Sequence, residues 1–242
     1  MQMIKPGNIC IVAITIFSVL SSCETLKHSA KHGFTEGFYR SHLHLQELKK
    51  VYVLPSDDLI KVFSVNTLKK SVIDTSESLR IAFPPDTKPL EFKTYLFRKN
   101  SFDLQALTVL FRYRPGLKNF PRQLTQSYNG AVYVGYRTDI YRLSYKKTPI
   151  QLYKRSITHY GFSVGVFSGI GSERIDEFNT LNGISFEYDG IVSLSGIAAI
   201  LAINKLSFGI TLGADHLLDT NRKYWVSNDK PWVGVSISLN LN

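Results

Sequence analysis

Hydrophobic and polar residues alternate with a period of two over residues 131–145, which predicts a β-strand with two unlike faces. One face would carry Val132 and Val134, and the other would carry Arg137 and Asp139. A strand of a water-soluble β-sandwich also shows such alternation. Later segments repeat the same division, with an uninterrupted apolar side and a polar side. This recurrence is typical of a membrane β-barrel, in which the apolar side contacts lipid and the polar side lines the interior.

The strand pattern occurs in segments 59–65, 92–97, 104–113, 131–145, 150–168, 184–203, 206–212 and 231–241. Short and long connections alternate between them, as they do in outer-membrane proteins, where short periplasmic turns alternate with longer outer loops. The sequence therefore predicts an all-β fold: an antiparallel up-and-down transmembrane β-barrel of eight strands. Within segment 184–203 the apolar residues change parity. This predicts one long strand with a bulge near Gly190 or Gly196, and the alternative is two strands joined by a turn at residues 189–190.

The amino-terminal segment 1–22 has one basic residue and an apolar run that is too short for a permanent membrane helix. It ends in Leu-Ser-Ser before Cys23, which resembles a bacterial lipobox. We predict a lipoprotein signal peptide, with Cys23 as the acylated first residue of the mature chain. The alternative is conventional cleavage, which would leave Cys23 as an ordinary thiol. Residues 23–56 are predicted to form a polar, lipid-anchored tether, and residues 57–242 to form the β-barrel.

The chain carries a net charge of +10, from 29 Lys and Arg against 19 Asp and Glu. The basic residues are scattered and do not form the clusters, interleaved with aromatic residues, that nucleic-acid binding needs, so no nucleic-acid partner is predicted. Outer-membrane lipid is the predicted partner, and the excess charge indicates either attraction to anionic headgroups or solubility alone. The sequence identifies no ligand or protein partner for the outer loops. The histidines between residues 28 and 44 lack a third ligand at a recognisable spacing, so no metal and no cofactor are predicted.

The predicted inner face is the part of the chain that could hold chemistry. A charge enclosed in a narrow barrel needs a partner, so we expect these residues to form a structural ion-pair network. Its predicted members are Arg112, Arg137, Asp139, His159, Glu187, Asp189 and Asp215. A selective polar path or a catalytic group is the alternative.

A Ser–His hydrolase is a weaker interpretation of the same face. His159 and Ser163 are the Ser–His pair that shares it, four residues apart in the sequence. That spacing places them about 13 Å apart along an extended strand, which is beyond hydrogen-bond reach. They would also point inward, away from a lipid substrate. No enzymatic activity and no catalytic residue are therefore predicted.

Segments 101–115, 121–141, 159–171, 186–192 and 230–242 resemble a family of small outer-membrane β-barrel (lipo)proteins of the Bacteroidetes whose function is uncharacterised. The resemblance covers about residues 101–242 and implies a barrel in the outer membrane. It implies no activity and no catalytic residues. The chain departs from outer-membrane proteins in general at Asn242, where an aromatic residue is usual.

Two functions from different classes remain open on the sequence alone. The first is a lipid-anchored outer-membrane barrel with a structural, adhesion or ligand-binding role. The second is a periplasmic, lipocalin-like lipoprotein that binds an apolar ligand inside its β-domain. The two differ in which face is apolar, because a lipocalin-like domain would place Arg137 and Asp139 in water and the aliphatic side chains inside.

Overall fold

The structure is a computed structural model, and it describes residues 33–41, 49–56, 59–66, 72–82, 94–117, 120–150, 153–203 and 206–241. Within these ranges the chain is almost entirely antiparallel β-sheet, with 11 strands and a short 3-10 helix at Thr220–Lys223. No helix among these residues is long and apolar enough to cross a membrane. The predicted signal peptide and Cys23 lie outside the described residues.

The strands are β1 Gly37–Ser41, β2 Lys49–Pro55, β3 Leu59–Asn66, β4 Val72–Ala82, β5 Tyr95–Arg114, β6 Gln123–Thr125, β7 Asn129–Lys147, β8 Tyr153–Ile175, β9 Tyr188–Ile203, β10 Leu206–Leu217 and β11 Pro231–Asn240. Strands β5, β7, β8, β9, β10 and β11 pair in this order, and β11 pairs back with β5. These strands close on themselves and are compatible with a barrel-like fold. We call them the six-strand ring. Strand β6 is a short addition that pairs with the end of β5.

Strands β1 to β4 form a second region, which we call the N-terminal sheet. They pair in chain order, and β1 joins them to the ring by pairing with Phe97 and Arg98 of β5. Strand β5 is therefore shared, because residues 105–113 of the same strand pair with β11. The inner face of the sheet packs with the adjoining ends of β5 and β7. This apolar core contains Tyr39, Val51, Val53, Ile60, Val62, Ile81, Phe97, Tyr141 and Leu143.

The ring is staggered, and its two ends differ. A path along paired residues leaves β5 at Thr108 and returns to it at Asn100, eight residues nearer its start. Such a shift requires strands that are tilted from the ring axis. The short connections 148–152 and 204–205 lie at the end that carries the N-terminal sheet, which we call the sheet end. The longer connections 115–128, 176–187 and 218–230 lie at the opposite loop end.

The predicted antiparallel all-β fold is confirmed, but two predictions about the first strands differ from the structure. Segments 92–97 and 104–113 were predicted to be two strands joined by a short turn at residues 98–101, which is wrong, because β5 runs through these residues and keeps an unbroken register with β7. The polar residues there mark the place where β5 passes from the N-terminal sheet into the ring. The predicted count of eight barrel strands began with residues 59–65, whereas this segment is β3 of the N-terminal sheet and the ring has six strands.

Two further segment predictions are corrected. Strands β1 and β2 fall within residues 23–56, which were predicted to form a tether, so the folded part begins before residue 57. The predicted bulge in segment 184–203 is wrong, because β9 pairs with β8 and β10 without a register shift. Strand β9 begins only at Tyr188, and the change of parity in the sequence lies at the boundary between loop and strand.

Candidate functional site

The outer face of the six-strand ring is apolar on all of its strands. Its side chains are between 37% and 74% exposed, and we call this surface the outer belt. Its members are Phe102, Phe111, Tyr113, Val132, Val134, Tyr136, Ile140, Tyr160, Phe162, Val164, Val166, Ile170, Ile191, Ile197, Leu201, Ile203, Leu206, Phe208, Ile210, Leu212, Val233, Val235, Ile237 and Leu239. Charged side chains lie beyond its edges, such as Arg98 and Arg142 at the sheet end and Arg174 at the loop end. Monomeric soluble proteins rarely expose so large a continuous apolar surface.

The inner face of the ring holds a buried charge cluster near the sheet end. Arg137 Nε donates to Asp139 Oδ1 at 2.7 Å, and the second carboxylate, Asp103, lies 3.9 Å from Arg137 Nη1. His159 Nε2 donates to the same Asp139 oxygen at 2.6 Å, because a carboxylate can only accept. The His159 ring is also stacked on Tyr141, with 4.7 Å between the ring centroids. We call Asp103, Arg137, Asp139 and His159 the sheet-end cluster.

Gly161 explains how the Arg137 guanidinium fits against strand β8. Gly161 is paired in register with Asp139 on the neighbouring strand. A Cβ atom at this position would come within 2.5 Å of Arg137 Nη2, too close for a real contact. The absence of a side chain therefore leaves the space in which the guanidinium lies flat and reaches its carboxylates.

A second buried cluster lies near the loop end and consists of two arginines and two carboxylates. Arg112 Nη1 bonds Asp215 Oδ2 at 3.0 Å, and Arg114 Nη2 bonds Glu173 Oε1 at 3.0 Å. The crossed pairs, Arg112 with Glu173 and Arg114 with Asp215, are also in contact. The four side chains are at most 7% exposed. Positive and negative charges are equal in number, so this loop-end cluster is balanced within itself.

Apolar side chains fill the ring between and beyond the two clusters. The layer between them includes Leu107, Tyr133, Phe167, Ile200 and Trp232, each at most 3% exposed. Beyond the loop-end cluster, the loop-end cap consists of Ile175, Ile184, Val192, Leu217 and Trp225. Charged and apolar layers thus alternate along the interior. An interior filled by its own side chains is expected for a small closed sheet.

The structure places five of the seven predicted inner-face residues in these clusters. Arg112 and Asp215 meet at the loop end, and Arg137, Asp139 and His159 meet at the sheet end. The sequence analysis predicted that they form one network. The apolar layer between the clusters separates them, and the sheet-end cluster has one arginine while the loop-end cluster has two.

The predictions for Glu187 and Asp189 are wrong, because both residues are exposed. Glu187 lies in the loop before β9 and accepts from Arg174 Nη2 at 2.6 Å on the surface. Asp189 is paired in register with Arg174. The inward assignment depended on a bulge in this segment. Without one, Gly190 and Val192 take the inward positions and Asp189 faces outward.

Sequence reasoning missed Asp103, Arg114 and Glu173, which all lie just outside the predicted strand segments. A signal existed for Glu173, because it keeps the odd-numbered alternation of His159 through β8 beyond residue 168. For Arg114 the signal is weaker. The register between β5 and β11 shifts next to Leu110, and this bulge determines which β5 residues face inward.

His159 and Ser163 are each engaged with other groups. His159 bonds Asp139, and Ser163 Oγ lies 2.7 Å from Tyr133 OH. Both stand on β8 and are buried in the ring interior, at 8% and 1% exposure. The described residues include no group of three or more His, Cys, Asp or Glu side chains that could hold a metal ion.

No family model, no curated protein and no solved structure matches this chain. A functional assignment therefore depends on the residues and geometry of the chain itself. The features available for it are the outer belt, the two buried charge clusters and the difference between the two ends of the ring.

Proposed function

We propose that this chain is a lipid-anchored protein of the bacterial outer membrane, of the kind that its sequence resembles. In this proposal the six-strand ring crosses the membrane as a β-barrel and has a structural, adhesion or ligand-binding role without enzymatic activity. The observation that carries the proposal is the outer belt. Apolar side chains face outward on every strand of the ring, while the buried charged side chains face its interior, as in membrane barrels.

The height of the outer belt suits a bilayer. On β8 the belt extends from Tyr160 to Ile170, which is ten residue steps. At about 3.3 Å per residue this is about 33 Å along the strand, and a tilt of about 40° reduces it to about 25 Å. Apolar bands of outer-membrane barrels are about 25 Å tall. The belt therefore has the dimensions that a lipid-facing surface requires.

The two ends of the ring support one orientation. Outer-membrane barrels have short turns on the periplasmic side and longer loops outside. The sheet end, with its connections 148–152 and 204–205, would then be periplasmic and the loop end would face outward. The N-terminal sheet adjoins the ring at this sheet end. A lipid on Cys23 would enter the inner leaflet of the outer membrane from that same side.

The packed interior supports a structural or presenting role over conduction. Tyr133 and Trp232 are at most 1% exposed in the layer between the charge clusters. Trp225, at 4% exposure, closes the loop-end cap. The periplasmic lipocalin-like alternative needs the reverse polarity, with a ligand cavity lined by the aliphatic side chains. The exposure of those side chains favours the membrane barrel.

Fractionation of cells that express the full-length chain tests the proposal. We expect the protein to stay in the outer-membrane pellet after carbonate and urea extraction, and to migrate differently on a gel before and after heating. Release by carbonate together with a heat-independent mobility would overturn the membrane-spanning barrel in favour of the periplasmic domain. The anchor is tested separately, because Cys23→Ala should abolish labelling with palmitate. Labelling of that variant would overturn the lipid anchor alone.

A further inference from the structure

A notch opens on the outer surface where β5 changes its partner. Strand β1 pairs with β5 at Phe97 and Arg98, and β11 pairs with it from Gln105 onward. In the interval between them, β5 has neither β1 nor β11 beside it. A cavity of about 550 Å³ lies there, and we call it the cationic notch. It is bounded by β1, β2, β5 and Tyr136 of β7.

Four positively charged side chains line the notch. Arg40 is paired in register with Lys50 on one side and with Arg98 on the other, so three cations lie side by side on adjacent strands. Lys99 also lines the cavity, with its Nζ 5.7 Å from the centroid of the Tyr39 ring. Like charges directly opposite one another destabilise a sheet. Among the residues that the structure describes, no carboxylate forms an ion pair with Arg40, Arg98 or Lys99, so an anion bound in the notch would stabilise it.

The backbone and the aromatic residues of the notch suit an anion. Gly37 has a φ of +152°, a conformation that residues with side chains rarely adopt, and a Cβ there would contact Lys99 Nζ at 3.8 Å. A distance of 3.8 Å is an ordinary van der Waals contact, so the backbone conformation, and not a lack of space, favours glycine at this position. Burial raises the pKa of Tyr39, so this phenol stays neutral and does not repel an anion. Phe38 supports Lys50, whose Nζ lies 4.7 Å from the ring centroid.

The position of the notch beside the outer belt indicates which class of ligand would fit it. Tyr136 lines the notch and is also a member of the outer belt, where it is paired in register with Phe102. Arg98 lies four residues from Phe102 on the same outward face of β5, beyond the edge of the belt. A bound molecule could therefore place an anionic group among the cations and an apolar chain on the belt. An anionic lipid has this combination of groups.

We propose that the cationic notch binds the phosphate group of an anionic membrane lipid, whose acyl chains lie on the outer belt beside Phe102 and Tyr136. The lipid part of the proposal rests on the membrane position proposed above. Arg40 and Arg98 would bind phosphate oxygens through their planar guanidinium groups, and Lys50 and Lys99 as point charges. Basic pockets beside membrane-spanning elements bind lipid headgroups through the same chemistry.

Native mass spectrometry of the purified full chain tests the proposal. The protein would be released from micelles that contain equal amounts of dioleoyl phosphatidylglycerol and dioleoyl phosphatidylcholine. We expect the parent to retain the phosphatidylglycerol in preference. Each cation near a membrane surface contributes about fivefold in affinity, so Arg40→Gln/Arg98→Gln should lose about 25-fold of this preference. Equal retention of the two lipids by the parent would overturn the proposal.

A matched control removes two cations that are not next to the notch. Lys146 and Lys154 are exposed and paired in register at the sheet end. Lys146→Gln/Lys154→Gln should stay within about twofold of the parent, because exposed charges that do not line the notch are screened from a phosphate bound there. A loss equal to that of Arg40→Gln/Arg98→Gln would mean that net charge, and not the notch, attracts the lipid. Heat-modifiable mobility of all variants would show that they are folded.

Titration of inorganic phosphate and glycerol phosphate into the detergent-solubilised protein, by calorimetry, distinguishes the source of the phosphate. Weak binding that disappears in Arg40→Gln/Arg98→Gln, beside strong retention of the lipid, supports the lipid ligand. If inorganic phosphate binds as tightly as the lipid, the lipid assignment is overturned. This titration needs no membrane, so it tests phosphate binding by the notch alone. Carbonate extraction tests the membrane position separately, and the failure of one proposal can therefore be distinguished from the failure of the other.

Discussion

The N-terminal sheet and the six-strand ring are built from the same kind of antiparallel pairing, but their polarity is opposite. In the sheet, Val51, Val53 and Ile60 face inward and are fully buried, while Lys61 and Arg80 are exposed. In the ring, the outer belt places apolar side chains on the outer face, and the two buried charge clusters lie inside between apolar layers. The sheet has the pattern of a domain surrounded by water. The ring has the pattern expected of one surrounded by lipid, which is the basis of the proposed membrane position.

Strand β7 changes from one arrangement to the other within its own length. Near its end, Tyr141 and Leu143 are buried while Arg142 is exposed. Toward its start, Arg137 is buried while Val134 is exposed. The alternation of side chains is the same throughout, because a strand always directs successive residues to opposite faces. What changes along β7 is therefore the surroundings of each face, and the comparison can be tested on both faces.

Arg137→Ala should have the largest effect, on the inner face of the ring. Asp103 and Asp139 would lose their guanidinium in a site where both are fully buried. Breaking a buried pair from one side costs about 3–5 kcal/mol of unfolding free energy. Urea unfolding of the detergent-solubilised protein measures this loss. Arg174→Ala is the control, because its side chain is 66% exposed and its pair with Glu187 should contribute less than about 1 kcal/mol.

An Arg137→Ala protein as stable as the parent would mean that water reaches the sheet-end cluster. The ring would then lose its dry interior, and the contrast with the N-terminal sheet would be reduced to the outer faces alone.

Val134→Arg tests the outer face of the ring. A cation at the middle of the lipid-facing surface of a barrel costs about 2–4 kcal/mol, so the variant should insert poorly and lose heat-modifiable mobility. Leu54→Arg is the matched control, because Leu54 is also partly exposed on an outward face, at 36%, but belongs to the N-terminal sheet. A surface change of that kind stays within about 0.5 kcal/mol. If both variants assemble like the parent, the outer belt faces water.

The alternation of residues was sufficient to predict strands β7, β8, β10 and β11 and the faces of Arg137, Asp139 and His159. It failed where the surroundings change along the chain. Residues 98–101 carry polar side chains because β5 leaves the outer belt there, and in sequence this looks like a turn. The alternation is visible among a few neighbouring residues of the sequence. Whether the outer face of a strand is apolar or polar at a given point depends on which other strands surround it in the fold.

The partners within the site could not be predicted, because strand register is not encoded locally. Asp103 comes near Arg137 only because β5 and β7 pair in a register that places Asp103 opposite Gly135, next to Arg137 on the inner face. The cationic notch likewise exists because β1 and β11 share one edge of β5. Nothing in the sequences of those strands indicates this shared edge.

A matched pair of small changes tests apolar contacts in the two regions. Ile60 is fully buried in the N-terminal sheet, and removing one methylene with Ile60→Val should cost about 0.5–1.5 kcal/mol. Ile210 is 67% exposed on the outer belt. Ile210→Val leaves no cavity, since detergent or lipid fills the space, and we expect it to remain within about 0.5 kcal/mol of the parent. Urea unfolding of both variants in detergent gives the comparison, and equal losses would place Ile210 in a protein interior.

The smallest expected effect concerns which carboxylates are coupled to Arg137. Asp139 bonds Arg137, so changing it to Asn should restore part of the loss caused by Arg137→Ala, while the Asn oxygen still accepts from His159. Glu187 bonds Arg174 on the exposed surface and shares no partner with Arg137. Glu187→Gln should therefore change stability by less than about 1 kcal/mol and add to Arg137→Ala within about 0.3–0.5 kcal/mol. Double-mutant cycles from urea unfolding measure both couplings. Rescue of Arg137→Ala by Glu187→Gln, with none from Asp139→Asn, would contradict the separation of a buried sheet-end cluster from the exposed pairs at the loop end.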